Sequence, residues 1–171
     1  MSRRNRNRKE FRLEDWQAPK GQTGYVKLPY AVMNSPAYLA LSKQQTLLLT
    51  FAWKQHDKAV HRKDRTPNKP DIFPYDKYKS DPNLGVEQGD FYLNIGLLSA
   101  IGYYKPRDSA GLSRDIKVLI GVGFLESVFK YKPRAKTKKV YRVSGRWQKV
   151  TAEQIEQVKK ESQPKRNRKA G

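Results

Sequence analysis

The sequence predicts an α+β fold, a small helical body closed by a β-hairpin. Three observations lead there. Apolar residues recur at helical spacing in residues 42–53, 95–101 and 109–122. They alternate at strand spacing in residues 124–131 and 140–144, either side of a turn. Glycines at 89, 102 and 123 mark where one pattern stops and the next begins. With 171 residues, the chain has room for one compact domain and its tails.

Tyr25 to Leu28 has the composition of a short strand. Pro29 to Met33 and Pro36 to Leu41 read as brief helical turns, the second capped by Ser35. Ser42 opens the strongest helix. Gln45 stands at capping-box spacing from it, and Leu47, Leu48, Leu49, Phe51, Ala52 and Trp53 make the helix apolar on most sides. His56 and His61 follow without carboxylates at a metal-binding spacing, and are read as structural or surface residues. Residues 57–90 hold Pro67, Pro70, Pro74 and Pro82, which no long helix tolerates, yet Ile72, Phe73, Tyr75 and Tyr78 would be wasted on a bare linker. An insertion that partly packs is expected; whether it is a mobile loop or a docked extra element stays open.

Phe91 to Leu93 reads as a short strand, followed by Asn94 as N-cap of a short amphipathic helix that carries Ile95, Leu97, Leu98 and Ile101 and closes at Gly102. The next helix begins near Pro106 or Ser109 and runs to Val122, with Leu112, Ile116, Leu119 and Ile120 on one face. At about 100° per residue, turning those four inward puts Arg107, Ala110, Ser113, Arg114 and Lys117 outward, with Ser109 at the start. Asp108 and Asp115 are read as a cap and a helix-surface residue. Gly123 ends the helix, Phe124 to Tyr131 and Val140 to Ser144 alternate as strands, and Pro133 to Lys139 forms the turn between them. Thr151 to Gln154 is a second capping box, opening a short helix with Ile155 and Val158 on a narrow apolar stripe. That stripe docks on the domain, the reading adopted, or pairs with a second copy to give a homodimer. The organisation expected is a basic arm over residues 1–20, a domain over 21–150 with its insertion at 57–90, and a short helix with a basic tail over 151–171.

Charge is the strongest functional signal. Lys and Arg number 36 against 16 Asp and Glu, a formal net charge of +20. Residues 1–20 hold +4 of it, residues 21–129 another +4, and residues 130–171 hold +12. A charge this one-sided self-repels unless a polyanion neutralises it, so nucleic acid is the first partner to consider. Between Lys130 and Arg142 the hairpin carries Lys130, Lys132, Arg134, Lys136, Lys138, Lys139 and Arg142 with no acid, a composition suited to phosphate contacts. In the arms, Arg3, Arg4, Arg6 and Arg8 and then Lys165, Arg166, Arg168 and Lys169 have the composition of disordered basic segments that follow phosphates or enter a minor groove. On the outward helix face, small residues permit close approach, Arg can bond two acceptors on guanine, and Ser or Lys can reach phosphates or base edges. Tyr103 and Tyr104, just before that helix, are expected to divide between core packing and a phosphate contact.

At these residues the sequence resembles the winged helix-turn-helix DNA-binding domains of plasmid and mobile-element proteins, especially the N-terminal domains of replication initiators from Gram-positive hosts. The resemblance rests on Val26-Lys-Leu-Pro-Tyr30 with Ser35-Pro-Ala-Tyr38, on Leu41-Ser42 before a long core helix, and on Leu112 to Leu119 leading into Gly123-Phe-Leu125. It covers about residues 25–147. It implies that 112–119 belongs to a recognition helix, that Ser113, Arg114 and Lys117 face the groove, and that the hairpin is a wing. Its implied partner is double-stranded DNA. The processes it implies are replication initiation, conjugative transfer as a relaxosome accessory, or transcriptional regulation, with a replication or relaxase protein as a further partner.

Other classes fare worse. The absence of cysteine excludes disulfide frameworks, Cys-type zinc sites, iron–sulfur clusters and thiol catalysis. No nucleophile with its base, paired carboxylates, phosphate-cradling loop or metal cluster stands at usable spacing, so neither catalysis nor a cofactor is expected. No run approaches the roughly 18 to 20 apolar residues of a membrane helix, and the basic N-terminus lacks a signal peptide's apolar segment; a cytoplasmic, plasmid- or nucleoid-associated location without membrane contact is expected. The competing class is a basic RNA-binding or ribosome-associated protein, which would share the charge but not depend on one helix face.

Overall fold

A computed structural model describes residues 28–60, 73, 75–128 and 139–163. Over these the chain is α+β, with seven α-helices and one three-stranded antiparallel sheet. In order they are α1 (Tyr30–Met33), α2 (Pro36–Leu39), α3 (Lys43–Val60), α4 (Tyr75–Tyr78), β1 (Phe91–Tyr92), α5 (Ile95–Ala100), α6 (Ser109–Gly121), β2 (Leu125–Ser127), β3 (Val140–Val143) and α7 (Ala152–Ser162). Single 3₁₀ turns at Pro82–Leu84 and Arg146–Lys149 complete the list. The strand expected at Tyr25 to Leu28 falls almost wholly outside the described residues.

Local chemistry sets the helix ends. The Ser35 hydroxyl accepts from the Tyr38 amide at 3.2 Å and donates to the Val32 carbonyl at 2.7 Å, joining α1 to α2. Ser42 and Gln45 satisfy each other's amides at 2.9 and 3.3 Å, as do Thr151 and Gln154 at the start of α7, so both capping boxes form. Asn94 caps α5 through the Gly96 amide, and Asp108 caps α6 through the Gly111 amide. At the other end of α6 the Phe124 amide returns to the Leu119 carbonyl and the Gly123 amide to that of Ile120, the paired bonds of a Schellman stop. Gly123 has φ +82°, and a Cβ there would lie 2.6 Å from the Trp147 nitrogen, so no other residue fits this turn without distortion.

One core lies between the helices and the inner face of the sheet. Leu48, Leu49 and Ala52 of α3 meet Leu98 of α5, Leu112, Ile116 and Leu119 of α6, and Phe91, Phe124, Leu125 and Tyr141 from the sheet side. Fully burying one such aliphatic or aromatic side chain is worth about 1.5–3 kcal/mol, so Leu112, Ile116, Val118 and Leu119 anchor α6 firmly in the body. Ile155 of α7 joins this cluster and Val158 packs beside it, so α7 docks on α6 and α2. The sheet order is β1–β3–β2, with Phe91 opposite Tyr141 and Leu125 opposite Val143.

Phe73 and the described part of the insertion, residues 75–90, pack against Tyr92 of β1. Phe73 is buried, stacked on Tyr78 with ring centroids 5.6 Å apart and set edge-on to Tyr92 at 5.5 Å. Of the two possibilities left open, residues 75–90 therefore form a docked element. Phe73 and Tyr78 supply apolar cover for Tyr92 that strands of two to four residues cannot supply for themselves. His56 is structural, its Nδ1 donating to the Gly89 carbonyl at 2.9 Å, while His61 lies outside the described residues. No helix among the described residues is long and apolar enough to cross a membrane.

Candidate nucleic-acid interface

Helix α6 turns its apolar side into the core and leaves Ser109, Ala110, Arg114 and Lys117 exposed, with Ser113 half-buried. Five of the six residues predicted for the outward face are thus on the helix itself. Arg107 is not. It is exposed but precedes the cap, in the turn between α5 and α6, with a left-handed backbone at φ +70°. That turn must reverse the chain between the Schellman stop at Gly102 and the cap at Asp108, and a non-glycine residue carries the reversal.

Two polar contacts fix how α6 is aimed. Asp115, expected on the surface, is half-buried; it accepts from the Tyr104 hydroxyl at 2.7 Å and from Gln45 Nε2 at 3.1 Å. The first ties the helix to its preceding turn, the second to the start of α3. Burial and the Asp115 carboxylate together push the Tyr104 hydroxyl well above the ordinary phenol range, so this bond keeps its proton throughout physiological pH. Tyr104 is thus the packing member of the tyrosine pair. Tyr103 is half-buried with its ring edge on Phe51, and its carbonyl accepts from Gln44 Nε2, so it too serves the core rather than standing free of it.

The hairpin is described at its base only. Lys130, Lys132, Arg134, Lys136 and Lys138 lie outside the described residues, as do Arg3, Arg4, Arg6, Arg8, Lys165, Arg166, Arg168 and Lys169. Lys139 is exposed where β3 begins. Arg142 departs from expectation. Instead of offering its charge to solvent, the guanidinium bonds both Asp90 carboxylate oxygens at 2.8 and 3.0 Å, Glu87 Oε1 at 2.7 Å and the Gly85 carbonyl at 2.8 Å. Glu126 stands 3.8 Å away on β2. The cause is Asp90, whose side chain is fully buried and needs a cation there. Arg142 is therefore a clasp between β3 and the insertion and is withdrawn from the phosphate-contacting set. Nothing in the local sequence marks this pair, since its partners are 52 residues apart.

Between the first two turns of α6, the start of α5 and the beginning of β3 lies a half-open groove of about 300 Å³. Leu112 and Ile116 form its floor, while Ser109, Ser113 and Lys139 stand along it. Sequence periodicity placed Ser113 outward; what it could not show is that Ser113 also looks into this groove. Compared with protein-family models, curated proteins and solved structures, the chain matches none.

Proposed function

We propose that this chain is a non-enzymatic, sequence-specific duplex DNA-binding protein of a plasmid or integrative element, built as a winged helix. The element order α3, β1, α5, α6, β2, β3, with β3 central in its sheet, supports that fold reading. The observation that carries the function is the face of α6. Ala110, Arg114 and Lys117 are exposed together on a helix locked into the body by four buried side chains and by Asp115. A rigid helix with a small, cationic face suits major-groove entry, and the cations of the hairpin and arms would then neutralise flanking phosphates. The process proposed is one of replication initiation, conjugative transfer or transcriptional regulation, the first two bringing a replication or relaxase protein as a further partner.

Selection of sites from a random duplex library at near-physiological salt, with excess single-stranded RNA as competitor, tests this. A recurrent motif is expected, and Arg114→Ala should cost about 1–3 kcal/mol on that motif and little on random duplex. Loss of all binding to RNA, with no motif, would replace the reading by a basic RNA-binding one.

A further inference from the structure

The groove beside α6 has a chemistry that duplex recognition by the helix face does not require. Its floor is apolar, from Leu112 and Ile116 with Ile95 at its end, and its polar lining includes Ser109 and Ser113 of α6, Asn94, and Lys139 just before β3. Among the described residues, no Asp or Glu lines it. Lys139 makes no ion pair with another described residue, so its charge is available to a ligand. At about 300 Å³ the groove is as large as the smaller sites that hold organic ligands. An apolar floor with the α6 hydroxyls on one side and the Lys139 ammonium at the start of β3 is complementary to an apolar body bearing one anionic head.

We propose that this groove binds a small amphipathic anion, a carboxylate or phosphate monoester on a flat apolar skeleton. Its body lies on Leu112 and Ile116, and its head is held by Lys139 with the hydroxyls of Ser109 and Ser113. Because Ser109 and Ser113 also belong to the face assigned to DNA, the bound anion and duplex exclude one another, a consequence that rests on the function proposed above. The site thus gives the protein a means of releasing DNA in response to a metabolite of that class.

The test uses the full chain and three probes followed by amide ¹H–¹⁵N correlation spectra: 2-naphthoate, the uncharged 2-naphthalenemethanol, and acetate. Naphthoate should bind saturably with changes confined to residues 92–95, 109–116 and 139–141. The alcohol should bind about tenfold more weakly, the worth of one charge-assisted contact, and acetate should spread weak changes over the basic surface. Lys139→Gln, a change at an exposed position, should weaken naphthoate about tenfold and leave the alcohol unchanged. Ser113→Trp, which fills the groove, should remove both. Equal binding of acetate and naphthoate, changes scattered along the chain, or indifference to Lys139→Gln would overturn the site. Adding a mixed-sequence duplex separates this proposal from the reading beneath it. Displacement of naphthoate is expected. Duplex binding with no naphthoate site sinks the groove alone, whereas a naphthoate site in a protein that binds no duplex sinks the DNA reading and leaves the groove standing.

Discussion

Arg142→Met would separate a structural arginine from a DNA-contacting one. The guanidinium donates four hydrogen bonds, two of them to a carboxylate with no exposure of its own, and the Arg142 side chain keeps 18% of its surface in solvent. Met preserves the length and apolar stem but leaves Asp90 with the Glu87 amide, at 2.8 Å, as its remaining contact. Removing one partner of a buried pair costs about 3–5 kcal/mol, and partial solvent access puts this case near about 3 kcal/mol. For a body of this size that corresponds to a fall in Tm of about 10 °C. Urea unfolding followed by tryptophan fluorescence measures it, since Trp53 and Trp147 both pack against the core. Adding Asp90→Asn should restore much of the loss, because the orphaned carboxylate, not the missing attraction, supplies most of it. On DNA, Arg142→Met should leave the salt dependence of binding unchanged once the protein is folded, whereas Lys139→Gln should lower the slope by about 0.9 if it meets one phosphate. A stability change within about 0.5 kcal/mol, with a reduced salt slope, would show that the clasp contributes nothing and that Arg142 faces phosphate after all.

Burial raises the Tyr141 phenol to about 12, so its neutral form is favoured in the folded state; the contribution is complete below about pH 10 and is lost as pH rises to about 12. Tyr141→Phe should therefore flatten the alkaline fall in stability by about 2–3 kcal/mol relative to the parent, and an unchanged alkaline profile in the difference between the two would refute it. Tyr104→Phe removes one donor to Asp115 and should cost about 1–2 kcal/mol in thermal melts, with site preference on DNA weakened through a less firmly aimed α6; a neutral effect on both would mean that Gln45 alone suffices. Ile155→Ala should cost about 2–4 kcal/mol and keep a single unfolding transition, because α7 shares the main core. Gly121→Val, in contrast, should dislodge α7, since even a Cβ there comes within 2.7 Å of Val158, and retained protection of α7 amides in hydrogen exchange would contradict that.

Local features were legible because their partners lie within one turn of chain. Ser35, the Ser42–Gln45 box, Asn94, and the Thr151–Gln154 box each satisfy an amide two or three residues away, and each was marked by residue type and spacing alone. The same holds for the inward side of α6, where periodicity of Leu112, Ile116 and Leu119 follows from helix geometry. Arg107 shows the limit: extrapolating the helical wheel back past the N-cap assigned it to a face, although the helix begins only after Asp108.

What the sequence by itself determined was most of the helices, the caps that open α2, α3, α5, α6 and α7, the inward side of α6 and the placement of excess charge at the two ends of the chain. Only the tertiary structure decided which charges remain available. Asp90 and Arg142, and likewise Gln45 and Asp115, meet across 52 and 70 residues, and no periodicity connects positions so far apart. A buried carboxylate must take its counter-charge from whatever the fold brings near, so Arg142 became a clasp while Lys139, three residues earlier and just before that strand, stays exposed beside the groove.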